Sequence, residues 1–409
     1  ELGPLPGALA MFGVLVIMMI LLAVLALVVV KALTHSPWAT FTVAMTIPIA
    51  VLMGIYGRFA RPGRIGEMSL LGFALLMLSL VYGRHVAEAP SLAAYFDYSG
   101  EDLSMMLIAY GFFASVLPVW ALLAPRDYLS TFLKIGTIIG LAIGIFFVLP
   151  DLKMPAVTKF IDGNGPVFSG SLFPFLFITI ACGAISGFHA LISSGTTPKM
   201  IDNEADARVI GYGAMLMEGF VAIMALVAAT TLDPGIYFAL NSPAALIGTS
   251  PESAATAISN WGFTITPDLL RQAAADVGEA SILSRTGGAP TLAVGMAEIL
   301  SNAIGGKALM AFWYHFAILF EALFILTTID AGTRVSRFMI QDLIGTAIPS
   351  FKATRSWSAN IIATAIAVSA WGYFLYQGVV DPLGGINTLW PLFGISNQML
   401  ACIALMLAT

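Results

Sequence analysis

Ionisable side chains lie within or beside the apolar stretches of this 409-residue sequence, namely Lys134, His189, Glu218, His315, Glu321 and Asp330. An ionised side chain at the bilayer centre costs at least about 2.5–3.5 kcal/mol, so such residues usually face the protein interior and often take part in function. A carboxyl group in a low dielectric holds a proton more readily, and an imidazole exchanges one near neutral pH. The candidate proton-coupling residues are therefore Glu218, Glu321, His189 and His315.

Helical spacing decides which of these side chains can meet. His315 and Glu321 are six residues apart, or about 240° on a helix of 100° per residue, so they cannot line one narrow stripe. Glu321 is better placed to meet a group on another helix, such as Glu218. The structural alternative is a neutral glutamic acid hydrogen-bonded to a neighbouring helix. Asp330 lies four residues before Arg334, which predicts a local ion pair at a helix end.

Small and hydroxyl residues are concentrated between Cys182 and Pro198, in the run CGAISGFHALISSGTTP. Glycine in a helix costs about 1 kcal/mol relative to alanine and lets the backbone open. An opened helix at membrane depth presents N–H groups and a positive dipole end to an anion. The alternative is close helix packing through small residues. The candidate substrate-binding residues here are Gly183, Ser186, Gly187, His189, Ser193 and Ser194.

Two polar amides, Asn397 and Gln398, lie inside the apolar run that follows Pro391. They are candidate pore-lining residues, and contact between neighbouring helices is an equally good interpretation.

The composition indicates which class of protein must position these groups. Hydrophobic residues make up 59% of the sequence and charged residues 10%, whereas soluble domains carry about 25% charged residues. The chain is therefore predicted to be embedded in a lipid bilayer. Its net charge of −5 argues against a nucleic-acid partner. The two cysteines support neither a disulfide framework nor a cysteine metal site, and no metal or cofactor is predicted.

Hydropathy predicts an all-α membrane protein with a polytopic helix bundle. The candidate spans are 8–33, 37–57, 67–84, 103–124, 130–149, 171–192, 207–231, 308–331, 359–377 and 386–409. Residues 1–231 would form the N-terminal part of the bundle with about seven spans, and 308–409 the C-terminal part with about three. Between them, 232–307 is predicted to be an external loop region in which 291–303 forms a re-entrant or interfacial helix.

The distribution of lysine and arginine gives the orientation. One set of alternate loops carries ten of these residues and the other set seven. Because basic residues favour the cytoplasmic side, the loops 58–66, 125–129, 193–206 and 332–358 are predicted to be cytoplasmic.

Several long runs resemble the carbon starvation protein A family: PFLFITIACGAISGFHALISSGTTPKM (174–200), LLAPRDYLSTFLKIGTIIGLAIGI (122–145), AFWYHFAILFEALFILTTIDAGTR (311–334) and VVDPLGGINTLWPLFGISNQMLA (379–401). The resemblance covers essentially the whole chain. It implies a multi-pass carrier of the bacterial inner membrane that takes up peptides and pyruvate when carbon is short.

The resemblance also implies a five-plus-five inverted-repeat core, like that of amino acid/polyamine/organocation transporters, with extra helices. Residues 183–194 would then correspond to the discontinuous helix that opens the second repeat. Family members begin with further helices and extend past residue 409, so the bundle is expected to be incomplete at both ends. The other half of the substrate site would come from helices outside this sequence.

The function predicted from these features is secondary active transport of peptides or small carboxylates, coupled to protons. An alternative from another class is a redox subunit in which His189 and His315 bind a haem. Faces rich in glycine and alanine would permit a homo-oligomer.

Overall fold

The computed structural model describes residues 4–180, 183, 201–352, 356–381 and 385–408. Helices dominate this part of the chain, and its only extended pairing is an isolated bridge between Asn164 and Ser169. The prediction of an all-α polytopic membrane protein is confirmed. The inverted repeat and the boundaries of the three regions stay predictions.

Helices of eight or more residues in the described part are numbered in chain order: α1 (Pro4–Leu33), α2 (Pro37–Ile55), α3 (Ile65–Glu88), α4 (Gly100–Val116), α5 (Leu123–Val148), α6 (Leu172–Thr179), α7 (Asp206–Thr231), α8 (Pro234–Asn241), α9 (Pro251–Asn260), α10 (Pro267–Asp276), α11 (Ala289–Ala303), α12 (Met310–Ala347), α13 (Trp357–Val380) and α14 (Ile386–Ala408). A π-helical turn, Tyr56–Ala60, extends α2.

Seven helices in the described residues are long and apolar enough to cross a membrane: α1, α2 with its π turn, α3, α5, α7, α12 and α13. Each corresponds to a predicted span. Of the other three predicted spans, 103–124 falls on α4, which has 17 residues, and 386–409 falls on α14. The third, 171–192, lies largely outside the described residues, apart from α6.

Helix α1 lies at the centre of the bundle, packed by α4, α12, α13 and α14. All of its side chains from Ile17 to Val24 are buried. A helix that is apolar on every side is stable only when lipid or other helices surround it. Its composition therefore accounts for its central position.

Helix α12 continues to Ala347, well beyond the predicted end of its span at residue 331. Its 38 residues correspond to about 57 Å at 1.5 Å per residue. The helix packs on α1, α2, α4, α5, α11 and α13. It therefore connects one end of the bundle to the other.

Basic side chains on the distal part of α12 cover the end of α4. Arg334 donates to the carbonyl oxygens of Ala114 (2.9 Å) and Leu117 (2.7 Å), and Arg337 donates to that of Ser115 (2.6 Å). The last carbonyls of a helix have no partner within it, and positive charge is favourable there. The prediction of a local ion pair between Asp330 and Arg334 is wrong, because Asp330 pairs instead with Arg126 and Arg334 Nη2 donates to these carbonyls.

Short helices form the region that follows α7. Three of them begin with a capping residue followed by proline, in the pairs Asp233–Pro234, Ser250–Pro251 and Thr266–Pro267. The cap side chain accepts from an N–H group of the first turn, and proline suits the first helical position. Phe238, Ile258 and Leu270 contribute to a separate apolar core beneath these helices.

Helix α11 follows these short helices and is almost entirely buried between α5, α7 and α12. Its 15 residues reach about 22 Å, short of the roughly 30 Å of a bilayer core. Its placement as a re-entrant or interfacial helix stays a prediction.

The contact between α11 and α7 is made backbone to backbone at Gly295. A Cβ atom there would lie 2.1 Å from the carbonyl oxygen of Ala228.

Gly295→Ala is therefore expected to lower the free energy of unfolding by about 1–3 kcal/mol through overpacking, although alanine favours a helix by about 1 kcal/mol. Thermal unfolding in detergent micelles measures the effect. Gly219→Ala on the exposed part of α7, where a Cβ meets no described atom within 4 Å, is the control, and equal losses in the two variants would contradict the close approach.

Candidate functional site

Two buried groups of charged side chains lie along α12. The first, here called the inner cluster, consists of Arg126 on α5, Asp330 on α12, Tyr110 on α4 and Thr46 on α2. Arg126 Nη1 lies 3.5 Å from Asp330 Oδ2, and Tyr110 donates to that same oxygen at 2.7 Å. Arg126 also donates to the hydroxyls of Tyr110 and of Thr46, the latter at 3.0 Å. Four helices therefore meet at one ion pair.

The inner cluster is buried, but its hydrogen-bonding groups are not all satisfied. Arg126 and Asp330 are each 1% exposed. Arg126 Nε and Asp330 Oδ1 have no hydrogen-bond partner among the described residues. Buried charges are costly unless they are paired and hydrogen-bonded. One N–H group and one carboxylate oxygen thus remain available for another group.

A cavity of about 190 Å³ borders the inner cluster. Tyr110 and Arg126 line its polar end, and apolar side chains of α1, α2 and α4 such as Val29, Val43 and Leu103 form its walls. A mostly apolar cavity with a few polar groups is typical of a small-molecule site.

The second group, here called the outer cluster, consists of Glu279, Arg285, His315 and Ser36. Arg285 Nη2 donates to Glu279 Oε2 at 2.9 Å, and Ser36 donates to Oε1 at 2.6 Å. His315 Nε2 faces Oε1 at 3.4 Å. The cluster joins the α1–α2 turn, the α10–α11 connection and the first turns of α12, on the predicted external side.

Contacts with the edge and with the face of the ring fix the orientation of the His315 imidazole. Its Nδ1 lies 2.8 Å from the carbonyl oxygen of Ala311, and the indole of Trp38 stacks on the ring at a centroid distance of 4.0 Å. Both ring nitrogens thus face protein oxygens. This arrangement argues against the alternative in which His315 is an axial haem ligand.

Opposing effects set the ionisation of the outer cluster. Burial alone would raise the pKa of Glu279, but Arg285, His315 and Ser36 together hold that pKa below its usual value. Burial would lower the pKa of Arg285, and the Glu279 carboxylate raises it instead. Glu279 is therefore a carboxylate at neutral pH and Arg285 a cation.

A second cavity, of about 200 Å³, lies at the start of α11. It is lined by Tyr237 and Asn241 of α8, by the loop Thr286–Gly288 and by Trp390 of α14. Asn241 Nδ2 donates to Thr291 Oγ1 at 2.7 Å, which fixes α8 against the first turn of α11.

The structure places the predicted proton-coupling residues in different settings. His315 is buried in the outer cluster, and Glu321 is half-buried without a hydrogen bond to a described residue. Glu218 is exposed on α7, which packs mainly on α5 and α11. Glu218 and Glu321 are thus not brought together within the described residues.

The other predicted positions are only partly described. Asn397 is buried in α14, and Gln398 donates to the carbonyl oxygen of Phe177 in α6. The backbone N–H of Gly183 donates to the carbonyl of Ile180 at 3.1 Å. Ser186, Gly187, His189, Ser193 and Ser194 lie outside the described residues, so the proposed opened helix stays a prediction.

Several residues of both clusters escaped the sequence analysis. Arg126 lay in a predicted cytoplasmic loop, and Glu279 lay in the predicted external loop region. Tyr110 and Ser36 are common residue types in such positions. For Glu279 and Arg285, the available signal was their spacing of six residues beside a glycine pair.

Known proteins resemble this chain along its whole length. The model of the family "Carbon starvation protein CstA" matches residues 1–409. The chain belongs to the CstA family. This confirms the resemblance that the sequence runs indicated.

Relatives within the CstA family cover the whole of this chain. A "Peptide transporter CstA" of Escherichia coli (strain K12) is 66% identical, and the chain spans 59% of its length. A "Pyruvate/proton symporter BtsT" of the same organism is 58% identical, with 60% of its length spanned. A "Peptide transporter CstA" of Bacillus subtilis (strain 168) is 44% identical, with 64% spanned. No solved structure matches the chain.

Proposed function

We propose that the protein is a secondary active carrier of the bacterial inner membrane that imports peptides or small carboxylates such as pyruvate together with protons. The observation that carries this proposal is the buried pair of His315 and Glu279 in a membrane-embedded chain. The names of the relatives, a peptide transporter and a pyruvate/proton symporter, support it.

Hydrogen-bond chemistry suits the pair to proton exchange. His315 Nδ1 lies beside a carbonyl oxygen, which only accepts, so Nδ1 carries a hydrogen. Nε2 faces a carboxylate oxygen that already accepts from Ser36. Without a further proton, two lone pairs would oppose each other at this buried contact. A proton placed between imidazole and carboxylate would remove this opposition, so the geometry of the contact is suited to taking up and releasing one.

Glu321 and Asp330 follow His315 on the same helix. Asp330 lies 15 residues after His315, about 22 Å along the axis, and Glu321 lies between them. In the inner cluster, Asp330 Oδ2 contacts Arg126 and accepts a hydrogen bond from Tyr110. Helix α12 thus presents protonatable groups at successive depths, an arrangement that suits proton movement through a carrier.

Uptake into proteoliposomes that contain the full-length protein tests the proposal. An imposed proton gradient is expected to drive accumulation of labelled pyruvate or dipeptide, and an uncoupler should abolish it. His315→Gln, which keeps an N–H donor but cannot titrate, is expected to lose gradient-driven accumulation while retaining substrate exchange. Internal and external label over time, with and without the gradient, separates the two activities.

His85→Gln is the matched control, because His85 is exposed near the end of α3. This variant should accumulate substrate like the wild type. Accumulation that ignores the uncoupler would remove proton coupling from the proposal. Full gradient-driven accumulation by His315→Gln would remove His315 from the coupling mechanism.

A further inference from the structure

The backbone conformation of the loop before α11 is suited to binding an anion. Gly287 and Gly288 have φ angles of +116° and +87°, in the region that favours glycine. The N–H groups of Thr286, Gly287, Gly288 and Ala289 donate to no described residue. They precede a 15-residue helix, whose positive dipole end favours a negative charge.

A buried hydroxyl gives a second, independent indication of a ligand. Thr286 is 3% exposed, lines the 200 Å³ cavity, and its Oγ1 has no hydrogen-bond partner among the described residues. A buried polar group without a partner costs about 1–3 kcal/mol. A ligand oxygen in the cavity would supply the missing bond.

The remaining lining indicates the size and charge of that ligand. A water molecule takes about 30 Å³ of liquid, so the cavity has room for a molecule of several heavy atoms. No lysine or arginine is among the described residues that line it. Arg285, the nearest cation in sequence, is directed towards Glu279. Among the described residues, backbone dipoles would therefore balance the charge, which suits a monoanion better than a dianion.

Tyr237 adds a neutral donor to the lining of the cavity. Burial raises the pKa of Tyr237, so its hydroxyl stays protonated. That hydroxyl makes no hydrogen bond to the described residues, and Asn241 holds the neighbouring backbone by donating to the Tyr237 carbonyl at 2.9 Å.

We propose that the carboxylate of a monoanionic substrate binds in this cavity, on the N–H groups of Thr286–Gly288 and the Thr286 hydroxyl. The proposal rests on the proposed carrier function and names the part of the substrate that this site recognises. A small keto acid and the C-terminus of a peptide share this chemistry.

Equilibrium binding to the purified full-length protein tests the site without a proton gradient. Trp390 lines the cavity, so its fluorescence is expected to change saturably with pyruvate, and Trp390→Phe should remove that signal. Thr286→Val keeps the side-chain shape but loses one hydrogen bond to a charged group, so the apparent Kd should rise about tenfold. Methyl pyruvate, which lacks the charge, is expected not to saturate.

Thr364→Val is the matched control, because Thr364 on α13 is also fully buried with an unpartnered hydroxyl but does not line the cavity. Its Kd should equal that of the wild type. Alanylalanine in place of pyruvate shows whether a peptide carboxylate occupies the same site, and binding of either acid supports the proposal. An unchanged Kd in Thr286→Val, equal binding of methyl pyruvate, or no response to both acids would overturn it.

The binding measurements do not depend on proton coupling. Loss of gradient-driven uptake with intact pyruvate binding would refute the coupled-carrier proposal and leave the carboxylate site standing.

Discussion

Arg126→Met is expected to lower the free energy of unfolding by about 3–5 kcal/mol, because Asp330 would stay buried without its counter-ion. The two side chains are each 1% exposed and join α5 to α12. Tyr110 and Thr46 would lose the guanidinium that bonds to them. Chemical unfolding of the full-length protein in detergent micelles measures the change.

The double variant Arg126→Met/Asp330→Leu distinguishes a lost charge pair from lost packing. Replacing a buried ion pair by apolar side chains of similar volume is often nearly neutral. The double variant should therefore be more stable than Arg126→Met alone. The two substitutions together should then lower the free energy of unfolding by much less than the sum of their separate effects. Additive losses would show that the pair contributes only packing.

Arg84→Met supplies the control for this cycle. Arg84 pairs with Glu88 on the surface of α3 at 2.8 Å, and both side chains are more than half exposed. Exposed pairs contribute little to stability, so this variant should unfold like the wild type. A similar loss in Arg84→Met and Arg126→Met would contradict the special role of burial.

Hydropathy predicted the helical class and seven of the spans, because crossing a bilayer requires a long apolar run that is visible locally. It failed at the distal part of α12. There Arg334 and Arg337 resemble a cytoplasmic loop, and only their bonds to carbonyls of α4, more than 200 residues away in the chain, explain why the helix continues. The local composition around Arg334 and Arg337 does not indicate a partner so far away in the sequence.

The same limit applies to the outer cluster. His315 was identifiable, since a histidine in an apolar helix is conspicuous. Its acidic neighbour was not, because Glu279 lies in a polar connection and reaches Ser36 across 243 residues of sequence. The pattern Thr286-Gly-Gly-Ala-Pro290 before an apolar run was the missed signal, since glycine before and proline within the first turn are typical of a helix start.

The outer cluster connects these findings, because one loop carries both Glu279, the partner of His315, and the candidate carboxylate site. Glu279 and Arg285 hold the loop against α12 and the α1–α2 turn. Thr286 follows directly. The proposed proton site and the proposed carboxylate site are therefore joined by the same short segment.

Arg285→Met is expected to reverse the pH dependence of stability that Glu279 contributes. In the wild type the pKa of Glu279 is held below its usual value, so its stabilisation is complete above the unfolded pKa of about 4.3 and is lost as pH falls through the lower folded pKa. Without Arg285, burial dominates and raises that pKa above the unfolded value. The contribution is then present at low pH and lost as pH rises through the raised pKa.

The variant should also be less stable at neutral pH by about 3–5 kcal/mol, since a buried carboxylate has lost its main counter-ion. Unfolding midpoints across about pH 2 to 8 show both effects: the wild-type curve should fall below about pH 4, and that of Arg285→Met should rise as the pH is lowered. Arg271→Met is the control, because Arg271 pairs with Glu252 and Asp268 at the surface of the same region. It should keep the wild-type slope. If Arg285→Met keeps that slope too, then Arg285 does not control the ionisation of Glu279, and the loop is held against α12 by packing rather than by charge.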